Sequence, residues 1–416
     1  MSSDTWSYQQ LGEVFPKIVV GYVGNVNKYY CDKNEGVPFY RTLNIRDGYF
    51  NNHDKKYVTR EFNDRNKKSQ IENGDILIAR VGANLGMICQ VRGISGPANI
   101  ANAIVIKSRY IKSGDPKFFA YFLVSPIGKN QIYSRAAGGA QGVFNTKLTQ
   151  SLIVPNPPIA EQKKIAQILS TWDKAITTTE QLLANSQQQK KALMQQLLTG
   201  KKRLLDENGV RFSEEWESFT LNELFTFKRG KGLSKGDISM TGKNRCVLYG
   251  ELYTRYAEVI ENVYSRTDKD EAELSESGDI LIPSSTTTSG IDLANATAIL
   301  ENGVLLGGDI NILRPRSKLS SQFMAHVLTH IKCYEIASMA QGITIIHLYG
   351  SDLKKLKVSI PVNLEEQIKI SQVLSSIDKE LQQLQIKLEI LRNEKKALMQ
   401  QLLTGKRRVK VDGDVA

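Results

Sequence analysis

The segment KKALMQQLLTGK occurs twice in this chain of 416 residues, without a single difference between its copies. The first copy runs from Lys190 to Lys201 and the second from Lys395 to Lys406. Other stretches also return: WSYQQLGEVF as WESFTLNELF, NGDILIA as SGDILIP, and AQG as AQG. The spacing between corresponding residues stays near 200 to 210 throughout. A repeat this long predicts a duplicated domain rather than a solenoid.

Each copy of the repeat divides into a globular part and a helical part. The globular parts contain short β-rich runs separated by Gly, Asn and Pro, with one helix predicted at PKFFAYFLV and its counterpart at SSQFMAHVLTH. Each helical part contains one long helix that Gly200 or Gly405 should end, because glycine readily adopts the left-handed conformation at a helix C-terminus. The predicted ranges are 1–157 and 208–361 for the globular parts, and 158–207 and 362–416 for the helical parts with a basic tail.

Apolar residues recur in steps of four and three along both predicted helices, which is the pattern of a coiled coil. The stripe of the first helix consists of Ile165, Leu169, Trp172, Ile176, Thr179, Leu183, Ser186, Lys190, Leu193 and Leu197. The stripe of the second consists of Ile370, Leu374, Ile377, Leu381, Leu384, Leu388, Leu391, Lys395, Leu398 and Leu402. The predicted fold class is therefore α+β: two globular α/β domains joined by two long helices in an antiparallel coiled coil, with a pseudo-two-fold internal repeat. The alternative is that each helix only covers its own domain.

Charge and cysteine content narrow the class of protein. The 55 Lys and Arg residues against 43 Asp and Glu residues give a formal charge of +12, which favours an anionic partner such as nucleic acid. The four cysteines stand apart without a CxxC pair, which predicts free thiols rather than disulfides or a cysteine zinc site. The sequence has no signal-peptide pattern and no run of eighteen apolar residues, so we expect a cytoplasmic protein without a membrane partner.

With this layout, the chain resembles the specificity subunit of type I restriction-modification systems. The resemblance covers essentially the whole chain and depends on the twofold layout, the GDIL strands and LMQQLLTGKKRL. It also depends on the VP and EQ residues that lead into each long helix: Pro155, Glu161, Gln162, Pro361, Glu366 and Gln367. It implies that the globular parts are target recognition domains, each reading one half of a split double-stranded DNA sequence, while the helices space them.

The resemblance also implies partners and cofactors. Two copies of the modification subunit, a methyltransferase, would dock on the helices, which would explain why one segment is duplicated. A restriction subunit, which is a translocating endonuclease, would complete the restriction system. The chain itself is expected to be non-catalytic and to hold no cofactor, while the partners supply S-adenosylmethionine, ATP and magnesium for DNA methylation and cleavage.

Two other function classes fit the sequence less well. A self-contained DNA methyltransferase or nuclease would need motifs that are missing: NPPI at Asn156–Ile159 lacks the aromatic residue of an amino-methyltransferase loop, and no glycine-rich cofactor loop is present. His326 and His330 stand one helical turn apart, but HVLTH lacks the Glu of HExxH, so a partly buried helix face is the preferred interpretation. A non-specific coiled-coil DNA architectural protein would leave two divergent, loop-rich domains without a role.

Comparing the two copies sorts the candidate DNA contacts. Residues that read bases should differ between copies if the half-sites differ, whereas phosphate contacts can be shared. The shared pairs, expected to position the DNA backbone, are Arg46 with Arg255 and Gln141 with Gln341. The differing pairs, expected to read bases, are Arg80 with Ser284, Asn84 with Thr288, Asn145 with Ile345, and Lys147 with His347. The alternative for each is a solvated loop residue or a local turn contact.

Overall fold

The structure of the protein, a computed structural model, describes residues 6–137 and 143–411. Gln141 lies outside the described residues, and so does the prediction made for it. The chain forms two compact units, the first from Met1–Glu180 with Ile386–Ala416 and the second from Gln181–Gln385. Both boundaries between the units fall inside the long helices, so the domain ranges predicted from the sequence stay predictions.

The first unit contains two four-stranded sheets and two strand pairs among its described residues. Its strands are β1 (Ser7–Gln10), β2 (Ile18–Val20), β3 (Val37–Tyr40), β4 (Ile45–Arg46), β5 (Tyr49–Phe50), β6 (Lys56–Val58), β7 (Gln70–Ile71), β8 (Ile76–Ala79), β9 (Ile88–Gln90), β10 (Ala98–Ile100), β11 (Ala103–Ile106) and β12 (Ile153–Asn156). The sheet orders are β6-β3-β10-β7 and β2-β11-β8-β9, with β1 paired to β12 and β4 to β5. Only β3 and β10 run parallel among these pairs.

Most helices of the first unit pack on the β2-β11-β8-β9 sheet; the exception is the helix that carries Phe62, which packs against Phe39 and Val58 of the other four-stranded sheet. The helices are α1 (Leu11–Val14), α2 (Arg60–Arg65), α3 (Pro116–Val124), α4 (Pro126–Ala137), α5 (Thr146–Gln150) and the first part of α6 (Ile159–Leu197). Helix α3 confirms the prediction at PKFFAYFLV: Asp115 caps it by accepting from the amides of Lys117 and Phe118, and Pro116 occupies its first position. Its phenylalanines are buried in the same core as Ile76 and Ile78 of β8.

The second unit repeats this arrangement with a five-stranded and a four-stranded sheet. Its strands are β13 (Trp216–Thr220), β14 (Phe225–Arg229), β15 (Asn244–Val247), β16 (Val259–Ile260), β17 (Ser265–Thr267), β18 (Glu273–Leu274), β19 (Asp279–Pro283), β20 (Ser285–Thr286), β21 (Thr297–Ile299), β22 (Leu305–Leu306), β23 (Ile310–Pro315), β24 (Ile346–His347) and β25 (Lys357–Pro361). Its helices are α7 (Leu221–Leu224), α8 (Glu251–Thr254), α9 (Ser321–His326), α10 (Cys333–Met339), α11 (Gly350–Leu353) and the first part of α12 (Leu364–Leu402). A π-helical turn, Val327–Ile331, continues α9, so the predicted helical segment SSQFMAHVLTH is confirmed.

Corresponding strands occupy corresponding places in the two units. The order β14-β23-β19-β21 repeats β2-β11-β8-β9, and β17-β15-β22-β18 repeats β6-β3-β10-β7 with its parallel pair. The strand pair β13 and β25 repeats β1 and β12. The twofold repeat predicted from the sequence is thus a repeat of topology.

The GDIL motif has a structural role at the start of β8 and β19. Its aspartates are fully buried, and each binds a cation on the neighbouring strand or just beyond it: Asp75 binds Lys107 at 2.9 Å, and Asp279 binds Arg314 at 2.8 Å. The preceding glycine has a positive φ in both copies, +99° at Gly74 and +96° at Gly278. The motif therefore fixes the sheets. The residue that follows each strand is half-buried in the first unit, at Arg80, and buried in the second, at Ser284.

The stripe predicted along each long helix is the less exposed face of that helix. None of its twenty residues is exposed. Within the first unit, Asp173 and Glu180 of α6 bind Lys395 and Arg392 of α12, so the helices there are antiparallel. In the second unit, Lys190 of α6 binds Asp378 of α12 at 2.5 Å. A continuous coiled coil over the full length of both helices stays a prediction.

The cysteines are all free, as expected. Cys89 and Cys246 are buried, whereas Cys31 and Cys333 are half-buried. In the part of the chain that the structure describes, no helix combines the length and the apolar character needed to cross a lipid bilayer.

Candidate nucleic-acid interface

The duplicated segment has the same surroundings in both units. Leu197 and Leu198 are buried in the core of the second unit, and Leu402 and Leu403 are buried in the core of the first. The glycine that follows has φ of +71° in each copy, and a Cβ there would meet the indole of Trp216 at 3.1 Å or that of Trp6 at 3.2 Å. The predicted termination of both helices by glycine is confirmed, since α6 ends at Leu197 and α12 at Leu402.

The EQ pair at the start of each long helix anchors the same junction. Glu366 receives two hydrogen bonds from Arg203, at 2.5 and 2.6 Å, and Glu161 receives two from Arg408, both at 2.8 Å. Both carboxylates are buried. The adjacent glutamine accepts from the backbone amide that leads into α3 or α9: Asp115 donates to Gln162, and Ser320 donates to Gln367. These motif residues are therefore used inside the protein, where they join the start of each long helix to other segments of the same unit.

The second unit has a cleft of about 240 Å³ where β14 and β19 end. Ser284, which directly follows β19, lines this cleft together with His347 of β24. Gln341 is paired with His347 through two backbone hydrogen bonds, of 2.9 and 2.7 Å. Three of the predicted residues are thus brought together here. The loop between Gln341 and His347 carries Ile343 with 99% of its surface exposed.

Cations and aromatic rings surround this cleft. His347 and Tyr349 stack with their ring centroids 6.1 Å apart, and Arg229, Lys354 and Phe227 complete the walls. Stacked rings offer faces to unpaired bases, and cations attract phosphates. Arg229 also binds Asp309 at 2.8 Å, which fixes its position while leaving 61% of its side chain exposed. The comparison of copies missed Arg229, Tyr349 and Lys354, although the basic run KRGKG at 228–232 is a signal that pointed to this strand end.

In the first unit, Arg80 takes the place of Ser284 at the end of the GDIL strand. Its carbonyl accepts the amide of Phe144 at 3.1 Å, which brings Asn145 beside it. The Nε atom of Arg80 is buried and has no hydrogen-bond partner among the described residues, and the same is true of the Oγ atom of Ser284. Buried polar atoms in proteins are nearly always satisfied. An orphaned donor at the same place in both units is consistent with a ligand that binds there.

Other predicted residues are already engaged by local contacts. Asn145 caps α5 by accepting from the amide of Leu148 at 2.9 Å, and Thr288 forms a hydrogen bond to Asp292. Arg255 binds Glu251 at 3.1 Å and lies over the ring of Tyr264. These contacts favour the alternative of local turn contacts.

Three other predicted residues make no side-chain hydrogen bond or ion pair among the described residues. Arg46 is exposed at the end of β4, beside the Asp47-Gly48 turn of a β-hairpin. Asn84 is half-buried and ends a 3-10 turn, and Lys147 is exposed on α5.

Two of the predicted correspondences between the copies are wrong by four residues: that of Asn145 with Ile345 and that of Lys147 with His347. The amide of Leu348 donates to the carbonyl of Ser284 at 2.9 Å, as the amide of Phe144 does to Arg80. Phe144 therefore corresponds to Leu348, so Asn145 corresponds to Tyr349, the residue that leads into α11. The reason is a four-residue insertion after AQG in the second copy, which the exposed loop around Ile343 accommodates.

Comparisons with known proteins agree with this architecture. The family of type I restriction modification DNA specificity domains matches the chain twice, over residues 3–185 and 213–392. The type I restriction enzyme MjaVIII specificity subunit of Methanocaldococcus jannaschii is 25% identical over 387 residues, which are 90% of this chain and 86% of that protein. The fold is similar to the crystal structure of the type I restriction-modification system S subunit from M. genitalium, with a TM-score of 0.60, 16% identity and 97% of both chains covered.

A second solved structure, of complex assembly and conformational transition of the type I R-M system, contains a chain with a TM-score of 0.52 and 16% identity, covering 97% of this chain and 98% of that one. At these identities, both structures are similar in fold alone. The family match extends over both globular parts and most of both long helices. The resemblance inferred from the sequence is thereby confirmed, and this chain belongs to the type I restriction-modification DNA specificity family, as a specificity subunit with two copies of the domain.

Proposed function

We propose that each unit reads one half of a bipartite double-stranded DNA target through the residues that follow its GDIL strand. The observation that carries this proposal is the pair of buried, unpartnered polar atoms on Arg80 and Ser284, at equivalent places with different side chains. Arginine suits guanine in the major groove, whereas serine makes a shorter and less selective contact. Equivalent positions with different chemistry are what a target with two unlike halves requires.

Single substitutions in the assembled methyltransferase complex test this proposal. Arg80→Ala should relax one half of the methylated target and leave the other half unchanged, with a cost of about 1–3 kcal/mol for the affected base pair. Methylome sequencing of a host that carries the variant gives the readout. Arg46→Ala is the matched control, because loss of a phosphate contact should lower methylation uniformly without changing the sequence read. A target unaltered in both halves by Arg80→Ala contradicts the proposal.

The exposed side of the duplicated segment is the proposed docking site for two methyltransferase subunits. Packing inside each unit accounts for the buried leucines but not for the outer face. That face carries Lys191, Ala192, Gln195 and Gln196 in the first copy and Lys396, Ala397, Gln400 and Gln401 in the second, all of them exposed. Each unit thus presents an identical surface, which supports one partner for each copy.

Charge reversal on this face tests the stoichiometry. Lys191→Glu should leave one methyltransferase subunit bound, at the second copy, and the double variant with Lys396→Glu should bind none. Native mass spectrometry of the purified complexes counts the subunits. Lys174→Glu, an exposed position of α6 outside the duplicated segment, is the control and should keep two. Retention of both partners by the double variant would place the docking site elsewhere.

The chain is proposed to be non-catalytic and cytoplasmic, with S-adenosylmethionine, ATP and magnesium supplied by the methyltransferase and restriction subunits. Given S-adenosylmethionine and target DNA, the purified chain should transfer no methyl group until the methyltransferase subunit is added. Transfer by the chain alone, measured with labelled cofactor, would favour the self-contained methyltransferase instead.

A further inference from the structure

Two histidines and a glutamate meet in the second unit, away from the proposed DNA-reading cleft. Glu258 lies between α8 and β16, His326 is the last residue of α9, and His330 lies in the π-helical turn that follows. One side-chain donor atom from each residue lies within 4.8 Å of the other two. The histidine rings are nearly parallel, 5.9 Å apart with an interplanar angle of 22°. A π-helical turn is rare and occurs often at functional sites.

His326 is the member of this cluster whose ring nitrogens have no hydrogen-bond partner among the described residues. Its side chain is 1% exposed. Its Nδ1 atom is 4.0 Å from the nearer oxygen of Glu258, too far for a hydrogen bond. His330 instead binds that oxygen directly. A buried imidazole without any partner is unusual, and a metal ion would satisfy it.

We propose that Glu258, His326 and His330 bind one divalent transition metal ion of the zinc class. Two imidazole nitrogens and one carboxylate oxygen are a donor set that zinc accepts, with a fourth position left for water or another ligand. Tetrahedral bonds of about 2.1 Å put ligand atoms about 3.4 Å apart. The His326–Glu258 separation of 4.0 Å would shorten to reach this geometry, and the direct His330–Glu258 contact would lengthen. Glu258 and His326 also help to line a cavity of about 420 Å³, together with Asp378.

The ion pair of Lys190 with Asp378 lies close to Glu258 and His326. The ammonium of Lys190 opposes a dication, and its 2.5 Å bond to Asp378 offsets part of that charge.

The first unit provides an internal comparison. Tyr121 and Ser125 stand where the second unit has His326 and His330. The hydroxyl of Tyr121 donates to Asp173 at 2.5 Å, so that side chain is satisfied within the protein. The lysine and aspartate pair is kept in both units, as Lys395 with Asp173 and Lys190 with Asp378. Among the described residues this cluster therefore occurs in the second unit alone, and one ion per chain is expected.

Titration of the full-length chain with Co²⁺ tests the site, because cobalt substitutes for zinc and absorbs visible light strongly when tetrahedral. We expect one Co²⁺ per chain with such a spectrum, displaced by Zn²⁺. His330→Gln and Glu258→Gln should weaken binding at least tenfold. His53→Gln, which removes an exposed histidine in the first unit, is the control and should bind as the unmodified chain does.

A second measurement covers the case in which a substitution damages folding. Zn²⁺ should raise the melting temperature of the unmodified chain and of His53→Gln, but not that of His330→Gln, whose side chain is 27% exposed in the parent. The proposal is overturned if the unmodified chain gives no tetrahedral Co²⁺ spectrum at saturation. It is equally overturned if His330→Gln binds Co²⁺ as tightly as His53→Gln does.

Discussion

Glu161 and Glu366 occupy equivalent places but depend on their arginines to different degrees. Glu161 accepts a hydrogen bond from the indole of Trp6 at 3.1 Å in addition to those from Arg408. The corresponding indole nitrogen of Trp216 has no partner among the described residues. Glu366 is fully buried, so its charge depends on Arg203. Removing one member of a buried ion pair leaves an uncompensated charge, which is strongly destabilising.

Arg203→Ala should therefore lower the free energy of unfolding of the second unit by about 3–5 kcal/mol. Arg408→Ala should cost the first unit less, because Glu161 keeps its bond from Trp6. Urea denaturation followed by intrinsic fluorescence measures both. Arg211→Ala, at an exposed residue in the same connection, serves as the control and should have little effect. Equal losses for the two arginines would show that the indole bond contributes nothing.

His326 makes stability depend on pH. Its pKa is about 4 in the folded chain and about 6.5 when unfolded. The unfolded state therefore takes up a proton that the folded state does not as the pH falls from 6.5 to 4, and stability falls by up to about 3 kcal/mol across that window. Urea unfolding at several pH values, in the presence of a chelator, should show this slope in the unmodified chain. The slope should be smaller in His326→Gln; an identical slope in both would contradict the assignment.

At the scale of elements, the helix-end glycines illustrate what packing adds to backbone conformation. Gly200 needs a positive φ and also lies against Trp216, whereas Gly209 has φ of +79° with no atom within 4 Å of an added Cβ. Gly209→Ala should cost about 1–2 kcal/mol for the left-handed backbone alone. Gly200→Ala should cost more, because the indole must shift. Thermal denaturation of the two variants separates the two contributions. Equal losses of stability would mean that the Trp216 indole moves aside without an energetic cost.

The helices and the side-chain clusters differ in how well they could be predicted from the sequence. Both long helices and α3 could be predicted, because apolar spacing and terminating residues are local signals. The cluster of Glu258 with His330 could not, since these residues are 72 positions apart and only the tertiary fold joins them. The same holds for Arg408 with Glu161. The four-residue insertion after AQG shifted the comparison of copies, so His347 was compared with the wrong residue, although it does lie beside Ser284.

For the whole molecule, the long helices lead to a prediction about target spacing. Each contains 39 residues and passes from one compact unit into the other. Adding seven residues to both keeps the apolar stripe in phase and lengthens each helix by about 10 Å. At about 3.4 Å per base step, this should lengthen the nonspecific spacer of the target by roughly three base pairs.

Methylome sequencing of the double insertion measures the spacer, with the two half-sites expected to stay the same. Methylation should be less efficient, because three base pairs also rotate one half-site by roughly a quarter turn. Insertion into one helix alone is the comparison, and it should weaken assembly by breaking the phase between the stripes. An unchanged spacer in an active double insertion would show that the helices do not set the distance.

The discontinuous composition of the first unit has a consequence for synthesis of the chain. Leu402 and Leu403 belong to its core, and Arg408 neutralises its buried Glu161, yet all three are translated more than two hundred residues after the strands they support. The second unit is continuous in sequence and can complete its core earlier. Domains generally fold on the ribosome as their sequences emerge. The second unit should therefore complete its fold before the first, although synthesis of the first begins earlier. A released chain that ends at residue 385 should therefore resist protease in 181–385 and be cleaved in the preceding segment.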